Sequence, residues 1–323
     1  MSEYVFNAAS NEPDATDRAQ ADALAVTLLE TIAELDARLG GPRRPLKLPQ
    51  HPWEMAVAKA EGGEAISLGQ IINEFYESRD TRELATFFDA LQTYAPAVEQ
   101  LDDNSVEAIL RLTPTAPADG YHSIYAAVVD AGFDAMQCVV TGGTLISLDR
   151  PKWDFDHAVF ACGGDLADLD HASKIEHVEP IVCRQHQVAR KAVNRQNFGA
   201  FKEEAFPSLS WGQDVARQLT VFPSEYLGLA FSRLANLDDI VRRWRATGAA
   251  EPELGNLVFR NESELTMDNY GSERRHRSSS GEMRSYETHV WIDRGNRIHF
   301  ILDPQARSLE IGYIGPHLRT WTN

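Results

Sequence analysis

The residues best suited to chemistry stand near the end of the chain, where arginine and histidine alternate with apolar side chains. Arg297 and His299 flank Ile298, so an extended backbone sends both polar side chains to one face. His289 comes shortly before them and His317 shortly after. Histidine titrates near neutral pH, and arginine is a permanent cation with bidentate donor geometry. Such groups can cleave RNA without a metal, as a base for the 2′-hydroxyl, an acid for the leaving 5′-oxygen and counter-charge for the phosphate.

Three short strands are predicted to position these groups. They are the runs SYETHVWI, NRIHFILD and RSLEIGYIG, separated by the turns DRGN and PQAR. Their β-branched and aromatic content favours an antiparallel meander. If the first two strands pair as a hairpin, His289 lies on the same face as Arg297 and His299, whereas a register slip of one residue would reverse this. The glycines and proline after the third strand leave His317 near the end of the sheet.

Each of these histidines has a simpler interpretation as a half-buried strand residue whose ring nitrogens are hydrogen-bonded by its neighbours.

The distribution of charge along the chain bears on the choice between a functional and a structural role. The chain carries 31 Lys and Arg against 48 Asp and Glu, a net charge of −17, but from Gly271 onward eight arginines stand against six acidic residues, with four of the ten histidines. The acidic total excludes a protein that coats nucleic acid or anionic membrane over its whole surface. Any contact with a polyanion must therefore be local.

The spacing of the cysteines and the hydropathy of the chain indicate the cellular compartment of the protein. The three cysteines, Cys138, Cys162 and Cys183, form no close pair in sequence, which excludes a disulfide framework and a CxxC site. The first residues are polar and acidic, and no stretch approaches the roughly 20 apolar residues that cross a bilayer. The sequence predicts a cytoplasmic protein with no membrane partner.

The predicted fold class is α+β, with a helix-rich N-terminal region, a mixed α/β middle and C-terminal helices followed by an antiparallel sheet. The predicted organisation is a disordered tail over 1–13, a helix-rich acidic domain with a small α/β part over 14–200 and an α+β domain over 201–323.

Apolar spacing and capping residues predict the individual elements. A long helix is expected from Asp14 or Thr16 to Leu39, followed by helices over about 53–61, 67–78, 80–93 and 104–112. The runs DAMQCVV and TLISLD around Gly142-Gly143 are typical of a β-hairpin. Strands are expected at DHAVFAC and IEHVEPIVC, then a basic helix at RQHQVARKAVNRQ and helices within 212–247 that end near Gly248.

A second candidate site lies in the middle of the chain, where carboxylates and imidazoles are dense. Its members are Asp154, Asp156, His157, Asp165, Asp168, Asp170 and His171. Oxygen and nitrogen ligands at that density could hold Mg²⁺ or Mn²⁺ for hydrolysis. Because the spacing matches no established metal signature, solvated loops are the simpler interpretation.

Several motifs in the segment 261–320 resemble the C-terminal part of a group of bacterial proteins often met near defence genes. The matching positions are Glu262-Ser263-Glu264, Tyr270-Gly271-Ser272-Glu273-Arg274, Gly281, Thr288-His289, Arg297 to Phe300 and Ile311 to Leu318. Thr288 departs from the group's pattern, which has an aromatic residue before the histidine. The layout of helices followed by a meander is similar to that of RelE/ParE-type toxins, whose ribonuclease members cut mRNA with basic and aromatic side chains and no metal. With the helical run before it, the resemblance covers about 205–320.

The resemblance implies a metal-independent endoribonuclease that acts as the effector of a bacterial anti-phage or toxin-antitoxin system. His289 and His299 are then the candidate base and acid, and Arg297 and Arg274 stabilise the developing charge. His317 completes the expected catalytic set, and the expected substrate contacts are Arg274, Arg284 and Tyr313. No cofactor or metal is expected. RNA is the expected substrate, with a regulator protein of the same system as partner and the upstream region as sensor, autoinhibitor or docking surface.

Two other functions stay open. The chain could be a non-catalytic subunit or adaptor that docks a partner protein or nucleic acid in a defence complex, since an acidic body suits a partner with a basic face. Metal-dependent hydrolysis at the central acidic residues is the third possibility.

Overall fold

The protein is an α+β chain that divides into two compact units, Met1–Arg184 and Gln185–Asn323. The computed structural model describes residues 3–11, 18–40, 43–59, 63–94, 101–115, 122–255 and 257–321. The division falls earlier than the predicted boundary near residue 200. One helix, Val178–Ala192, spans this division.

The first unit contains a six-stranded sheet with strand order β2-β1-β6-β8-β7-β5 and a separate two-stranded sheet, β3-β4. Its strands are β1 Tyr4–Phe6, β2 Leu46–Lys47, β3 Ala56–Lys59, β4 Ala65–Ser67, β5 Pro114–Thr115, β6 Thr144–Ile146, β7 His157–Cys162 and β8 Asp165–Ala172. Its helices are α1 Arg18–Leu39, α2 Leu68–Phe75, α3 Arg82–Tyr94, α4 Asp103–Arg111, α5 His122–Thr141 and α6 Val178–Ala192. Short 3₁₀ turns lie at Ala8–Asn11, Pro52–Glu54, Pro151–Trp153 and Ile175–His177.

Helical spacing of apolar residues predicts α1 well. Its buried side chains, which include Ala25, Leu28 and Ile32, recur three or four residues apart and join the core of the first unit. The helix ends at Leu39 because Gly40 adopts a positive φ of 65°. The predicted caps, Asp14 and Thr16, lie outside the described residues.

The prediction of a disordered tail over 1–13 is wrong for Tyr4–Phe6. This strand is fully buried and pairs in parallel with β2 on one side and β6 on the other. Three residues are too few to show a period-2 pattern, and their partners stand far away in sequence. Long-range pairing, which the sequence does not display, makes this segment part of the core.

Three further predictions in the first unit are wrong. Within the predicted helix 53–61, the described residues 53–59 form a 3₁₀ turn and β3 instead. The run DAMQCVV belongs to α5, so the structure has a helix-to-strand turn at Gly142-Gly143 instead of a hairpin. The run IEHVEPIVC forms a 3₁₀ turn and the start of α6 instead of a strand. Short apolar runs with β-branched residues fit a buried helix and a strand equally well.

Helix α5 is the one described segment, Ser123–Thr141, whose length and composition would allow it to cross a membrane. This differs from the sequence expectation. Its backbone is interrupted at Gly132, which has φ 53° and ψ −117°. Ala127, Val128, Ala135 and neighbouring apolar residues of α5 pack into a core of the first unit with Trp153 and Phe160, whereas Val129 and Phe133 are exposed.

The second unit is built on a five-stranded sheet of order β10-β13-β14-β15-β9, in which all pairs are antiparallel except β15 with β9. Its strands are β9 Leu209–Trp211, β10 Arg260–Asn261, β11 Arg275–Arg277, β12 Met283–Ser285, β13 Thr288–Trp291, β14 Asn296–Asp303 and β15 Ser308–Pro316. Its helices are α7 Phe198–Ala205, α8 Val215–Val221, α9 Ser224–Thr247 and α10 Glu264–Tyr270, with a 3₁₀ turn at Gly271–Arg274. Strands β11 and β12 form a separate hairpin. The predicted meander is confirmed in β13, β14 and β15.

The two faces of this sheet differ in chemistry. Ile298 and Phe300 of β14 lie on the face that packs into the apolar core with residues of α8 and α9. Period-2 alternation therefore sends Arg297 and His299 to the opposite face. The pairing of β14 with β15 shifts at one point: His299 lies opposite Tyr313 and Phe300 opposite Ile311, so Gly312 forms a bulge.

Candidate functional site

The predicted face-sharing of the C-terminal histidines is confirmed. In the register of β13 and β14, His289 lies directly opposite His299 and Trp291 opposite Arg297. The two imidazole rings are tilted, with their centroids 5.0 Å apart. Tyr313 of β15 lies opposite His299 on its other side, at a ring distance of 5.7 Å. The sheet thus brings these polar side chains together on one face.

A carboxylate completes the group. The distance from Glu262 Oε1 to His289 Nδ1 is 3.7 Å. Ligand-type atoms of Glu262, His289 and His299 all lie within 4.8 Å of one another, and these residues are called the imidazole cluster below. In the part of the chain that the structure describes, no other trio of histidine, cysteine and acidic side chains converges in this way.

The cluster is buried rather than open to water. His289 is 7% exposed, His299 1% and Arg297 3%. Arg274 and Tyr286, which close over this face from the segment before β13, are also buried. Cleavage of RNA, which the sequence predicts for these groups, requires that a phosphate reach them, and in this state of the protein they are closed to water. The reason is that residues 262–286 fold back over the polar face, which the strand pattern alone does not predict.

The hydrogen bonds fix the tautomer of His299. Its Nδ1 lies 3.0 Å from the carbonyl oxygen of Tyr286. Because a carbonyl only accepts, Nδ1 carries the hydrogen and Nε2 keeps its lone pair. The Nδ1 of His289, by contrast, is buried without a hydrogen-bond partner.

Burial keeps the imidazoles neutral. Burial, followed by the proximity of His289, lowers the pKa of His299 to about 3. Burial also lowers the pKa of His289 and, together with Arg297, the pKa of His317. Neutral imidazoles suit a base or a ligand, whereas the predicted general acid requires a protonated ring near neutral pH. The acid role is therefore the least supported of the predicted roles.

Both predicted charge stabilisers are already engaged within the protein. Arg274 is fully buried, and its guanidinium donates to Glu262 Oε1 at 2.9 Å. Arg297 donates to the carbonyl oxygens of Asp293 and Asn296, each at 2.9 Å, and its guanidinium lies 4.1 Å from the centre of the Trp291 ring. The Nε atoms of both arginines are buried without a partner.

The remaining predicted residues lie at the edge of the cluster. His317 is half-buried, and its backbone N–H donates to Gly295 at 2.7 Å. The Tyr313 ring stacks on His276 at 5.0 Å, and its hydroxyl donates to the carbonyl of Pro316 at 2.9 Å. Arg284 lies apart from the cluster, exposed on the β11-β12 hairpin.

That hairpin carries three exposed arginines and is called the arginine hairpin below. Arg275 and Arg277 of β11 share one face, whereas Arg284 of β12 pairs with His276 and lies on the other face. Within the ranges that the structure describes, none of the three forms a salt bridge. Three uncompensated guanidiniums on one hairpin fit a phosphate backbone.

Sequence reasoning missed Glu262 as a member of the site. It follows the two-residue strand β10, which places it beside β13 through the pairs Arg260 with His289 and Asn261 with Thr288. A two-residue strand has no detectable period. The Glu262-Ser263-Glu264 motif is the signal that points to it, together with the N-cap role of Ser263, whose hydroxyl accepts from Thr266 N–H.

The central acidic residues form ion pairs instead of a metal site. Asp156 and Asp170 both bind Arg184, at 2.6 and 2.8 Å. Asp154 binds Lys174 at 2.5 Å, and Asp168 lies 2.8 Å from His157. His171 is fully buried, with one ring nitrogen bonded to Phe155 O and the other to Ser147 Oγ. These partners occupy the groups that a metal would need.

Comparison with models of protein families, with curated proteins and with solved structures finds no match for this chain. The likeness to the defence-associated group and to the RelE/ParE layout therefore stays a prediction that rests on the motifs of the C-terminal segment.

Proposed function

We propose that this protein is an RNA-cleaving effector of a bacterial defence system that works in the cytoplasm. RNA binds along the arginine hairpin, and the C-terminal unit, with a RelE-like layout, cleaves it at the imidazole cluster without a metal. The observation that carries this proposal is the convergence of His289, His299 and two arginines on one sheet face next to three uncompensated exposed arginines.

In this proposal a neutral imidazole accepts the proton of the 2′-hydroxyl. His299 suits this role because its Nδ1–H is held by Tyr286 O, which leaves Nε2 as the basic atom. Arg274 and Arg297 would supply charge stabilisation, and Tyr313 and Arg284 substrate contacts. Since residues 262–286 cover the cluster, cleavage requires an opening that exposes His299 Nε2 while Tyr286 O and Arg274 stay in contact with the cluster, and the resting protein is inactive until a trigger or regulator protein acts.

The test is cleavage of end-labelled RNA by the purified full chain in EDTA, with and without extract from phage-infected cells, alongside a growth assay on induction. We expect cleavage with the extract and a loss of about 100-fold or more in H299A, the usual size of a base contribution. His157→Ala, at a half-buried histidine of the first unit, is the matched control. Absence of cleavage under every condition, with H299A and wild type equally harmless in cells, would overturn the proposal.

The second candidate is a non-catalytic adaptor, and the burial of both imidazoles favours it. In that case the arginine hairpin alone contacts the phosphate backbone. RNA binding that is lost in R275A/R277A/R284A, with no cleavage by wild type under any condition, would decide for the adaptor.

A further inference from the structure

One atom of the imidazole cluster and three atoms of neighbouring residues are buried polar groups without a hydrogen-bond partner. His289 Nδ1 and the Nε atoms of Arg274 and Arg297 are buried without hydrogen-bond partners, and His276 Nε2 shares this state nearby. Buried polar atoms in native proteins nearly always find a partner, and an unmet group commonly marks a ligand or ion. The orphaned His289 Nδ1 lies 3.7 Å from a carboxylate oxygen and opposite a second imidazole.

The spacing of the donor atoms suits a small cation. Metal–ligand distances of about 2.0–2.2 Å in a tetrahedral zinc site place ligand atoms about 3.4 Å apart. The 3.7 Å between Glu262 Oε1 and His289 Nδ1 is close to that value, and the full set lies within 4.8 Å. Small side-chain rotations on binding would close the remaining gap.

The supporting contacts are those that orient metal ligands. A ligating histidine usually donates its other ring N–H to a carbonyl or carboxylate, and His299 donates Nδ1–H to Tyr286 O. Glu262 is held in place by the guanidinium of Arg274 at 2.9 Å. The oxygen that accepts from Arg274 is the same Oε1 that lies 3.7 Å from His289 Nδ1, and a carboxylate oxygen has two lone pairs, so it can accept from an arginine while it binds a cation.

The donor set selects the class of metal. Two imidazole nitrogens and one carboxylate suit Zn²⁺ and neighbouring first-row metals, whereas Mg²⁺ and Ca²⁺ prefer oxygen ligands alone. Three protein ligands leave a fourth tetrahedral position open. The nearby charges of Arg274 and Arg297 weaken cation binding and favour an anionic fourth ligand such as hydroxide or phosphate.

We propose that the imidazole cluster is a binding site for one Zn²⁺ ion, with Glu262, His289 and His299 as ligands. Zn²⁺ on both imidazoles removes the lone pairs that metal-free RNA cleavage needs, so the ion inhibits that reaction. The inhibition rests on the proposed function, whereas the metal binding does not.

Binding is tested on the tag-free full chain by calorimetry with ZnCl₂ and by the visible absorption of tetrahedral Co²⁺. We expect the wild type to bind about one equivalent of Zn²⁺. In E262Q, H289N and H299N the affinity should fall by more than about 100-fold, which is a larger loss than that caused by removing a supporting hydrogen bond. E262Q keeps the side-chain shape and a hydrogen bond to Arg274, so it guards against loss of folding. The matched control is His276→Asn, which removes a neighbouring imidazole outside the set. All variants carry Cys183→Ser, because Cys183 is the one cysteine of the three that is only partly buried.

Wild-type protein that binds no Zn²⁺, or binding that persists in all three ligand variants, overturns the site. Saturable binding that depends on the three ligands, with no RNA cleavage in either Zn²⁺ or EDTA, supports the metal site and overturns the proposed function. Binding together with Zn²⁺-suppressed cleavage supports both.

Discussion

The buried His171 and the buried pair of His289 and His299 differ in the hydrogen-bond partners of their ring nitrogens. His171 has both ring nitrogens bonded within hydrogen-bond distance, to Phe155 O at 2.6 Å and to Ser147 Oγ at 2.7 Å. The pair of His289 and His299 has one nitrogen bonded to a carbonyl and another without any partner. A satisfied ring stabilises the fold, and an unsatisfied one remains available to a proton or an ion. Burial alone therefore does not distinguish a structural histidine from a functional one.

His171 makes the stability of the protein depend on pH. Burial lowers its pKa from about 6.5 to about 3. The unfolded chain takes up a proton below about pH 6.5 and the folded chain does not, so the contribution of His171 is complete above pH 6.5. It is lost as pH falls toward 3, at about 1.4 kcal/mol per pH unit. We expect the free energy of unfolding of H171Q, measured in urea between pH 6 and 4, to fall less steeply than that of the wild type. The difference in slope should be about 1.4 kcal/mol per pH unit. Parallel curves for wild type and H171Q would contradict this.

The buried ion pair between Arg274 and Glu262 makes a second prediction. Truncation in R274A leaves the Glu262 carboxylate, itself 7% exposed, without its counter-charge. We expect the free energy of unfolding to fall by about 3–5 kcal/mol in guanidinium unfolding experiments. The double variant E262L/R274M, which removes both charges, should recover at least half of that loss. Equal losses in the single and the double variant would show that the pair matters through packing and not through charge.

The residue types of the site could be predicted from the sequence, but not their surroundings. The period-2 pattern around Ile298 correctly placed Arg297 and His299 on one face with His289. The cover over that face comes from contacts such as the one between Arg274 and Glu262, whose partners stand twelve residues apart on either side of α10. A local periodic pattern in the sequence does not reveal such contacts. The burial of the site residues is therefore the property that the sequence does not predict.

At the scale of elements, the accuracy of prediction follows the strength of local signals. Strand β14, Asn296–Asp303, lies between two turns with clear turn residues and matches its predicted bounds. Helix α9 starts directly after Pro223 and ends at Gly248 in a left-handed conformation, as its sequence indicates. The apolar run at the end of α5 is followed by Gly142 and Gly143, which fit a hairpin turn as well as a helix end, and the run at the start of α6 lacks a clear boundary. Both runs are predicted as strands. Tertiary packing, rather than propensity, decides their conformation.

Strand β15 depends on the absence of a side chain at one position. A Cβ built on Gly312 would overlap the ring of Tyr286, which lies directly on the strand. We expect G312A to lower the free energy of unfolding by about 1–3 kcal/mol, measured by urea unfolding, because the ring must move. Gly228 in α9 is the matched control, since its added Cβ meets open space, and G228A should be neutral or stabilising by up to about 1 kcal/mol. Similar effects at both glycines would refute the close packing at Tyr286.

At the scale of the whole molecule, the net charge of −17 opposes binding to RNA at long range. A local basic element must overcome this repulsion, and the arginine hairpin is suited to do so. For single-stranded RNA, R275A/R277A/R284A should reduce the slope of log affinity against log salt by about 2, since each phosphate contact contributes about 0.7. Filter binding at several salt concentrations measures this, and R111A, at an exposed arginine of α4, should leave the slope unchanged. An unaltered slope in the triple variant would place the RNA contact elsewhere.

Because the two units have separate apolar cores, we expect the second unit to fold on its own. Its apolar core is formed by residues from Val193 to Ile314, whereas the cores of the first unit end at Val182. A fragment that begins at Gln185 should show a single cooperative unfolding transition by circular dichroism, and the imidazole cluster should bind Zn²⁺ in it as in the full chain. A fragment that stays unfolded would show that the second unit needs the first for its stability.

The bulge at Gly312 has a consequence for tolerance to insertions and deletions. Ile311 and Ile314 are three positions apart, yet both point into the apolar core, because the extra residue between them absorbs one step of the alternation. A chain shortened by removal of Gly312 would keep Tyr313 and Ile314 facing the layers they face now. A residue added at the same place would also leave Tyr313 and Ile314 on their present faces, since two extra residues restore the alternation, but it would enlarge the bulge or shift the pairing with β14 by two positions. This hairpin can lose length here more easily than it can gain it.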